Sequence, residues 1–311
     1  MFRKILFATC LREACDHAAR AAFDIAQRYN AHLYVFNVFG MPTHGYSQVV
    51  TDLITGDEVM LDQNYVDLVQ EEIAEYCDQM LKKTTKYTFE ITVGFPHREI
   101  LRFARRIDPD IIIMGGSTDD SDVSAYKKSM TGSTIQRVAK AAQCPVLVVS
   151  RPPASFWGGF SNIVFGTDLS TAADAAFAFA FRLVREQELG CAFHLFHAID
   201  VAGIPLNSSE IQEDIENQIQ KARERIRDKY VSRMGDFEKY ALEVRPGTSF
   251  VEITKYAGEK HAEMIVLAPY AKKTETGDAI PGSIFEQVIA RVNCPVVSVN
   301  RYAIAKDGND T

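Results

Sequence analysis

One segment of this chain occurs twice, and that repetition limits the fold more than any single motif. Asp110-Ile-Ile-Ile-Met-Gly115-Gly-Ser117 runs through a polar loop to Thr131-Gly132-Ser133 and ends in Cys144-Pro-Val-Leu-Val-Val-Ser150. Glu263-Met-Ile-Val-Leu-Ala268-Pro-Tyr270 runs through a Lys/Thr/Gly loop to Pro281-Gly282-Ser283 and ends in Cys294-Pro-Val-Val-Ser-Val-Asn300. Each copy reads as a buried strand, a loop, a helix opened by Gly-Ser, and a second buried strand. Consecutive apolar residues without polar alternation suit a parallel strand covered on both faces. The loop leaving the C-terminal end of such a strand is where open α/β sheets place ligands.

The rest of the chain repeats in the same order. Lys4-Ile-Leu-Phe-Ala-Thr9 predicts a short strand, followed by an Ala-rich helix from Leu11 to about Tyr29 with Ala14, Ala18, Ala21, Ala22, Ile25 and Ala26 on one stripe. His32 to Val38 predicts a second strand, Phe39 to Gly56 a long irregular connection, and Asp57 to Lys83 a long helix with apolar residues three and four apart. Phe89 to Val93 is a third strand; Gly94-Phe-Pro96 leads into a helix from His97 to Arg106, and Ile111 to Met114 is a fourth strand. In the second copy Ile163 aligns with Ile5, Cys191 with Ala31, the helix Ser208 to Met234 with the earlier long helix, Gly247 and Ile253 with Gly94 and Ile100, and Gly282 with Gly132. The separation between partners stays within 150 to 160 residues along the chain, so only loops differ in length. Strands alternating with helices argue a parallel, doubly wound sheet in each half, with five strands and four helices.

At 311 residues each half can bury its own core. The expected boundaries are 1–152 for the first domain, 153–160 for a linker, 161–302 for the second domain and 303–311 for a tail. A net charge of −7 without a basic arm argues against nucleic acid as a partner. The apolar runs fall well short of the ~20 residues that span a bilayer, and Met1-Phe-Arg-Lys carries no cleavage pattern, so no membrane role and a cytoplasmic location are expected. The six cysteines include no Cys-x-x-Cys pair, and Cys144 and Cys294 stand at equivalent positions before Pro-Val, as small core residues would. Cys10 and Cys15 flank the turn from the first strand into the first helix and leave open a redox or metal role there. His194 and His197, three apart on a strand, point to opposite faces and cannot chelate one ion; both read as core or interface histidines. Neither a Gly-x-x-x-x-Gly-Lys-Ser/Thr loop nor a Gly-x-Ser-x-Gly turn occurs.

Five features, in an order that occurs twice, give the chain a resemblance to the universal stress protein family in its tandem form. They are the strand-then-Thr-Asp turn (Thr167-Asp168), the Leu-Phe-His-Ala strand (195–198), the Gly-x-x-x-x-x-Ile helix start (Gly94 and Ile100), the Asp-Ile-Ile-Ile-Met-Gly strand, and the Gly-Ser helix followed by Cys-Pro-Val-Leu-Val-Val. The resemblance implies two Rossmann-like, adenine nucleotide alpha hydrolase-like domains, each a five-stranded parallel sheet of order 3-2-1-4-5 with helices on both faces. It places Cys10 and Gly115 at the first switch point, and Asp168 and Ala268 at the second. It also implies that the last strand of each half pairs across a two-fold axis as an intramolecular pseudo-dimer, with further homodimerisation open.

Nucleotide-binding members carry an Asp after strand one and a loop of pattern Gly, two residues, Gly, nine residues, Gly, then Ser or Thr. The first half keeps Gly115, Gly132 and Ser133, but has Cys10 for the Asp, Thr118 for the second Gly and a longer loop bearing Asp119, Asp120 and Asp122. The second half keeps Thr167, Asp168, Ala198, Gly282 and Ser283, with Ala268 and Ala271 at the early glycines and Lys272 and Lys273 nearby. The resemblance therefore implies ATP or AMP in the second half, with Mg only alongside the nucleotide. A plain structural reading stands beside it. Ser133-Thr-Ile-Gln136 and Ser283-Ile-Phe-Glu286 are capping boxes, and Asp168 before Leu-Ser suits an Asx turn. Three function classes fit: a stress-response regulatory binding module, a slow ATPase or nucleotide hydrolase, and a sensor or scaffold for another small molecule.

Overall fold

The computed structural model describes residues 1–11, 15–42, 49–53, 55–81, 86–116, 134–151, 159–187, 190–200, 209–269 and 284–301. The chain divides into two units, Met1–Trp157 and Gly158–Thr311.

In the first unit, β1 (Lys4–Thr9) buries Ile5, Leu6 and Phe7 in succession, which requires cover on both faces. α1 (Asp16–Tyr29), β2 (His32–Pro42), β3 (Val49–Asp52), β4 (Glu58–Met60) and α2 (Gln63–Leu81) follow. Then come β5 (Tyr87–Val93), α3 (Pro96–Ile107), β6 (Ile111–Gly115), α4 (134–141) and β7 (Val146–Val149). Parallel pairing runs β5-β2-β1-β6-β7, the order 3-2-1-4-5 counted over these five strands. The predicted stripe of α1 is buried at Ala18, Ala21, Ala22, Ile25 and Ala26; Ala14 lies outside the described residues.

Two local expectations are corrected. The connection 39–56 is not irregular throughout: β2 runs on to Pro42, β3 pairs antiparallel with its end, and β4 pairs antiparallel with β3. The β-branched run Val49-Val50-Thr51 supplies the strand, and Asp52 closes its turn by accepting from the Thr55 N–H at 2.6 Å and from the Tyr65 hydroxyl. The long helix therefore starts at Gln63, not Asp57, because Glu58–Met60 is taken by the ribbon and Asp62 caps the helix by accepting from Tyr65 N at 2.9 Å.

In the second unit, β8 (Asn162–Gly166), α5 (Ala172–Arg185), β9 (Ala192–Ile199), α6 (Ser209–Lys229), β10 (Tyr240–Pro246), α7 (Ser249–Glu259), β11 (Met264–Leu267), α8 (Ile284–Ile289) and β12 (Val296–Ser298) repeat the plan. The long helix ends at Lys229, and Val231–Arg233 continues as a tighter 3-10 turn. Parallel pairing runs β10-β9-β8-β11-β12, again 3-2-1-4-5. Gly94 (φ 153°) and Gly247 (φ 136°) lead into α3 and α7 with backbones that L side chains rarely adopt. Six residues on, Ile100 and Ile253 are buried. The Gly-x-x-x-x-x-Ile pattern is thus a backbone requirement followed by a core anchor.

The cores differ in filling. Phe165, Phe177, Phe181, Phe193 and Tyr230 form one aromatic cluster joining β8, β9, α5 and the end of α6. In the first unit Ala19 stands at the position equivalent to Phe177, and α1 buries a row of alanines. Among the described residues no helix is long and apolar enough to cross a membrane.

Candidate functional site

The turn that follows β8 is built around Thr167. Its backbone N–H donates to Phe196 O (2.9 Å), and its Oγ1 accepts from Leu169 N at 2.9 Å while sharing a hydrogen bond with the Tyr230 hydroxyl at 3.0 Å. Leu169 takes φ 61°, a left-handed conformation rarely adopted by a branched apolar residue. Asp168, exposed, accepts from Ser170 N through Oδ1 at 2.9 Å, which is the Asx turn expected of it. Ser170 Oγ in turn accepts from Ala173 N (3.3 Å), settling the start of α5. Lys229, at the end of α6, clamps the turn by donating to the Leu169 and Ser170 carbonyls (2.9 Å each) and pairing with Asp174 at 3.0 Å.

His197 adds the neighbouring wall. Its Nδ1 lies 2.7 Å from the Thr167 carbonyl, which can only accept, so Nδ1 carries the proton and Nε2 is left as an acceptor. Burial holds this imidazole below its ordinary pKa against the opposing pull of that hydrogen bond and of Asp168, so it is neutral at pH 7. His194 is separate: buried, it lies 3.1 Å from the Tyr256 hydroxyl and 3.3 Å from Asn162 Oδ1. The two histidines share no partner, as their alternation on the strand requires.

Between these elements lies an open cleft of ≈ 90 Å³. Gly166, Thr167 and Asp168 line it from β8, Phe196, His197 and Ala198 from β9, and Leu267, Ala268 and Pro269 from β11. Ser249 and Ile253 of α7 and the start of α8 complete it. It therefore opens at the C-terminal ends of β8 and β11, the two strands between which the sheet order reverses. A Cβ on Gly166 would fall 2.5 Å from both Ile253 Cδ1 and Leu267 Cδ2, so glycine keeps this floor open.

The structure brings Thr167, Asp168, Ala198 and Ala268 together around one cleft. Lys272, Gly282 and Ser283 lie outside the described residues, as do Gly132 and Ser133 of the first unit. Gly115 ends β6, opposite Val149. His197 and Ser249 are cleft residues that the sequence reading did not select. The signal for His197 was its alignment with Asn37, whose Nδ2 donates to the Thr9 carbonyl at 2.9 Å in the first unit's equivalent of the same bond. Among the described residues no three His, Cys, Asp or Glu side chains gather as a metal site. Cys144 is buried, and burial pushes the Cys294 thiol up to about 12, consistent with core roles.

A model of the universal stress protein family matches residues 1–150 and again 159–300. The chain belongs to the universal stress protein family. It is 27% identical over 158 residues to universal stress protein MJ0531 of Methanocaldococcus jannaschii, a match covering 49% of this chain and 84% of that protein. It is 26% identical over 157 residues to universal stress protein YxiE of Bacillus subtilis, covering 48% of this chain and 99% of that protein. Among solved structures, a universal stress protein from Archaeoglobus fulgidus superposes along 96% of both chains with a TM-score of 0.64 at 19% identity. The chain thus carries two universal stress protein domains in tandem.

Proposed function

We propose that this tandem universal stress protein is a regulatory module that binds an adenine nucleotide, ATP or AMP, in the cleft of its second unit. The observation carrying this reading is that one open cleft at the reversal point between β8 and β11 holds an exposed carboxylate and a neutral imidazole between apolar walls. Phe196, Ile253 and Leu267 offer surfaces for the flat faces of a purine. Asp168, held in place by its turn, is an acceptor for sugar hydroxyls or an exocyclic amine. Both are donors to a carboxylate. Lys272, Gly282 and Ser283 would receive the phosphates, with Mg bound only alongside them, and the nucleotide supplies a charge and shape signal that the bound chain can report. In the first unit Cys10 replaces the carboxylate, so that unit is assigned no nucleotide.

Calorimetric titration of the full chain with ATP, ADP and AMP, with and without magnesium, tests this. Saturable binding that Asp168→Ala weakens by roughly 10- to 100-fold supports it, as expected for losing ~1.5–3 kcal/mol of charged hydrogen bonding. Undiminished binding in Asp168→Ala, or no binding of any of the three, rejects it. Sustained release of phosphate would move the protein to the hydrolase class.

A further inference from the structure

The first unit's strand end repeats the Thr-to-Leu bond and left-handed Leu of the second's and carries a different chemical group between them. Thr9 Oγ1 accepts from Leu11 N at 3.1 Å and Leu11 takes φ 55°, as Thr167 and Leu169 do. At the position of Asp168 stands Cys10, exposed, and at the position of Ala173 stands Cys15, buried at the start of α1. Their Sγ atoms are 2.6 Å apart, and the Cys10 backbone N–H donates to Cys15 Sγ at 3.2 Å. Two thiolates sharing a tetrahedral zinc at ~2.3 Å each would sit almost 4 Å apart, whereas a disulfide requires ~2.05 Å. The observed spacing is close to a bond and far from a chelate.

We propose that Cys10 and Cys15 form a reversible dithiol–disulfide pair, oxidised by hydrogen peroxide, at the turn where the second unit carries its carboxylate. The roles follow from exposure. Cys10 meets the oxidant, while the hydrogen bond shared with Cys10 and burial hold the Cys15 thiol well above its ordinary pKa, so Cys15 keeps its proton until the second step. In the first step the Cys10 thiolate attacks peroxide. An S–O bond forms, the O–O bond breaks, sulfur loses two electrons, and the departing hydroxide takes a proton to become water. In the second step Cys15 gives up its proton and attacks the Cys10 sulfenic sulfur. The S–S bond forms, the S–O bond breaks, and the leaving hydroxide takes the proton as a second water. Two thiols and one peroxide become one disulfide and two waters. A small-molecule thiol such as dithiothreitol returns the pair by exchange. Closure ties the strand end to the helix start and removes the sulfur group that Cys10 presents in the reduced state.

The full-length reduced chain, freed of reductant and treated with hydrogen peroxide, is quenched with iodoacetamide and mapped by mass spectrometry. The expected result is a Cys10–Cys15 linked peptide, at least about tenfold lower alkylation of both residues, and full recovery with dithiothreitol. In Cys15→Ser the sulfenic acid on Cys10 persists and is trapped by dimedone; in Cys10→Ser no adduct forms at Cys15. The proposal is overturned if both thiols of the unaltered chain stay alkylatable under peroxide that oxidises glutathione fully. It is equally overturned if Cys10 links to a second chain or to another cysteine instead. The measurement on the unaltered chain stands whether or not either variant folds.

Discussion

The strand ends after β1 and β8 share one Thr-to-Leu device and carry two chemistries. Each places a Thr hydroxyl under a left-handed Leu, and each ties the Thr carbonyl to a side chain at the end of the neighbouring strand, Asn37 in one unit and His197 in the other. The tip then differs: a thiol beside a second thiol in the first unit, a carboxylate above an open cleft in the second. Duplication preserved what the backbone needs and released what it does not. The scaffold is therefore expected to be sensitive to changes in shape, and each crevice to changes at its own tip.

The largest effect is expected where the cores diverge. Phe177→Ala removes the centre of the second unit's aromatic cluster and should destabilise that unit by about 3–5 kcal/mol, read by chemical denaturation. The first unit, with Ala19 there, should keep its own unfolding transition. Next, Gly166→Ala drives a methyl group against Ile253 and Leu267 and should cost about 1–3 kcal/mol while narrowing the cleft. The reciprocal Ala8→Gly should cost about 1 kcal/mol or less in the first unit, where the equivalent position already holds a methyl. Equal costs would mean that the two strand ends are packed alike. Lys229→Met leaves the Leu169 and Ser170 carbonyls without their clamp and should lower stability by ~1 kcal/mol, with faster amide exchange confined to 169–174.

The smallest effect is the pH dependence of the second unit. Burial holds His194 and His197 below their ordinary pKa, so the unfolded chain takes up protons first as the pH falls through about 6.5. Stability is then fully present above that value and declines between it and the lower folded values. Thermal unfolding midpoints measured from pH 7.5 to 5 should fall, and His194→Gln should flatten the slope. A midpoint that rises on acidification would contradict the lowered pKa of the two rings.

How far the sequence disclosed this depends on whether a feature is local. The repeated alternation of strands and helices was legible because the apolar runs Ile111–Met114 and Met264–Leu267 and the Gly-to-Ile helix starts recur together, while the order 3-2-1-4-5 followed from the family resemblance that this recurrence carried. The ribbon of β3 and β4 was hidden, since the short run Val49-Val50-Thr51 lies beside a Gly-, Pro- and His-containing stretch that reads as loop, and its antiparallel pairing with β2 is a non-local contact. The left-handed Leu11 and Leu169 were hidden too, because leucine carries no turn signal and the flanking Thr hydroxyl imposes the conformation. At the site, Asp168 was visible as a motif residue. His197 could be told from His194 only once the strand register put one on the Thr167 carbonyl and the other on Tyr256.

The central claim is that one ancestral crevice became two, of which the later retains the nucleotide. Calorimetry of the full chain with ATP and magnesium tests it most directly. The account predicts a stoichiometry near one per chain, with binding weakened roughly 10- to 100-fold in Asp168→Ala and unchanged in Cys10→Ser. Two equivalent sites, or binding that survives Asp168→Ala and disappears in Cys10→Ser, would contradict it.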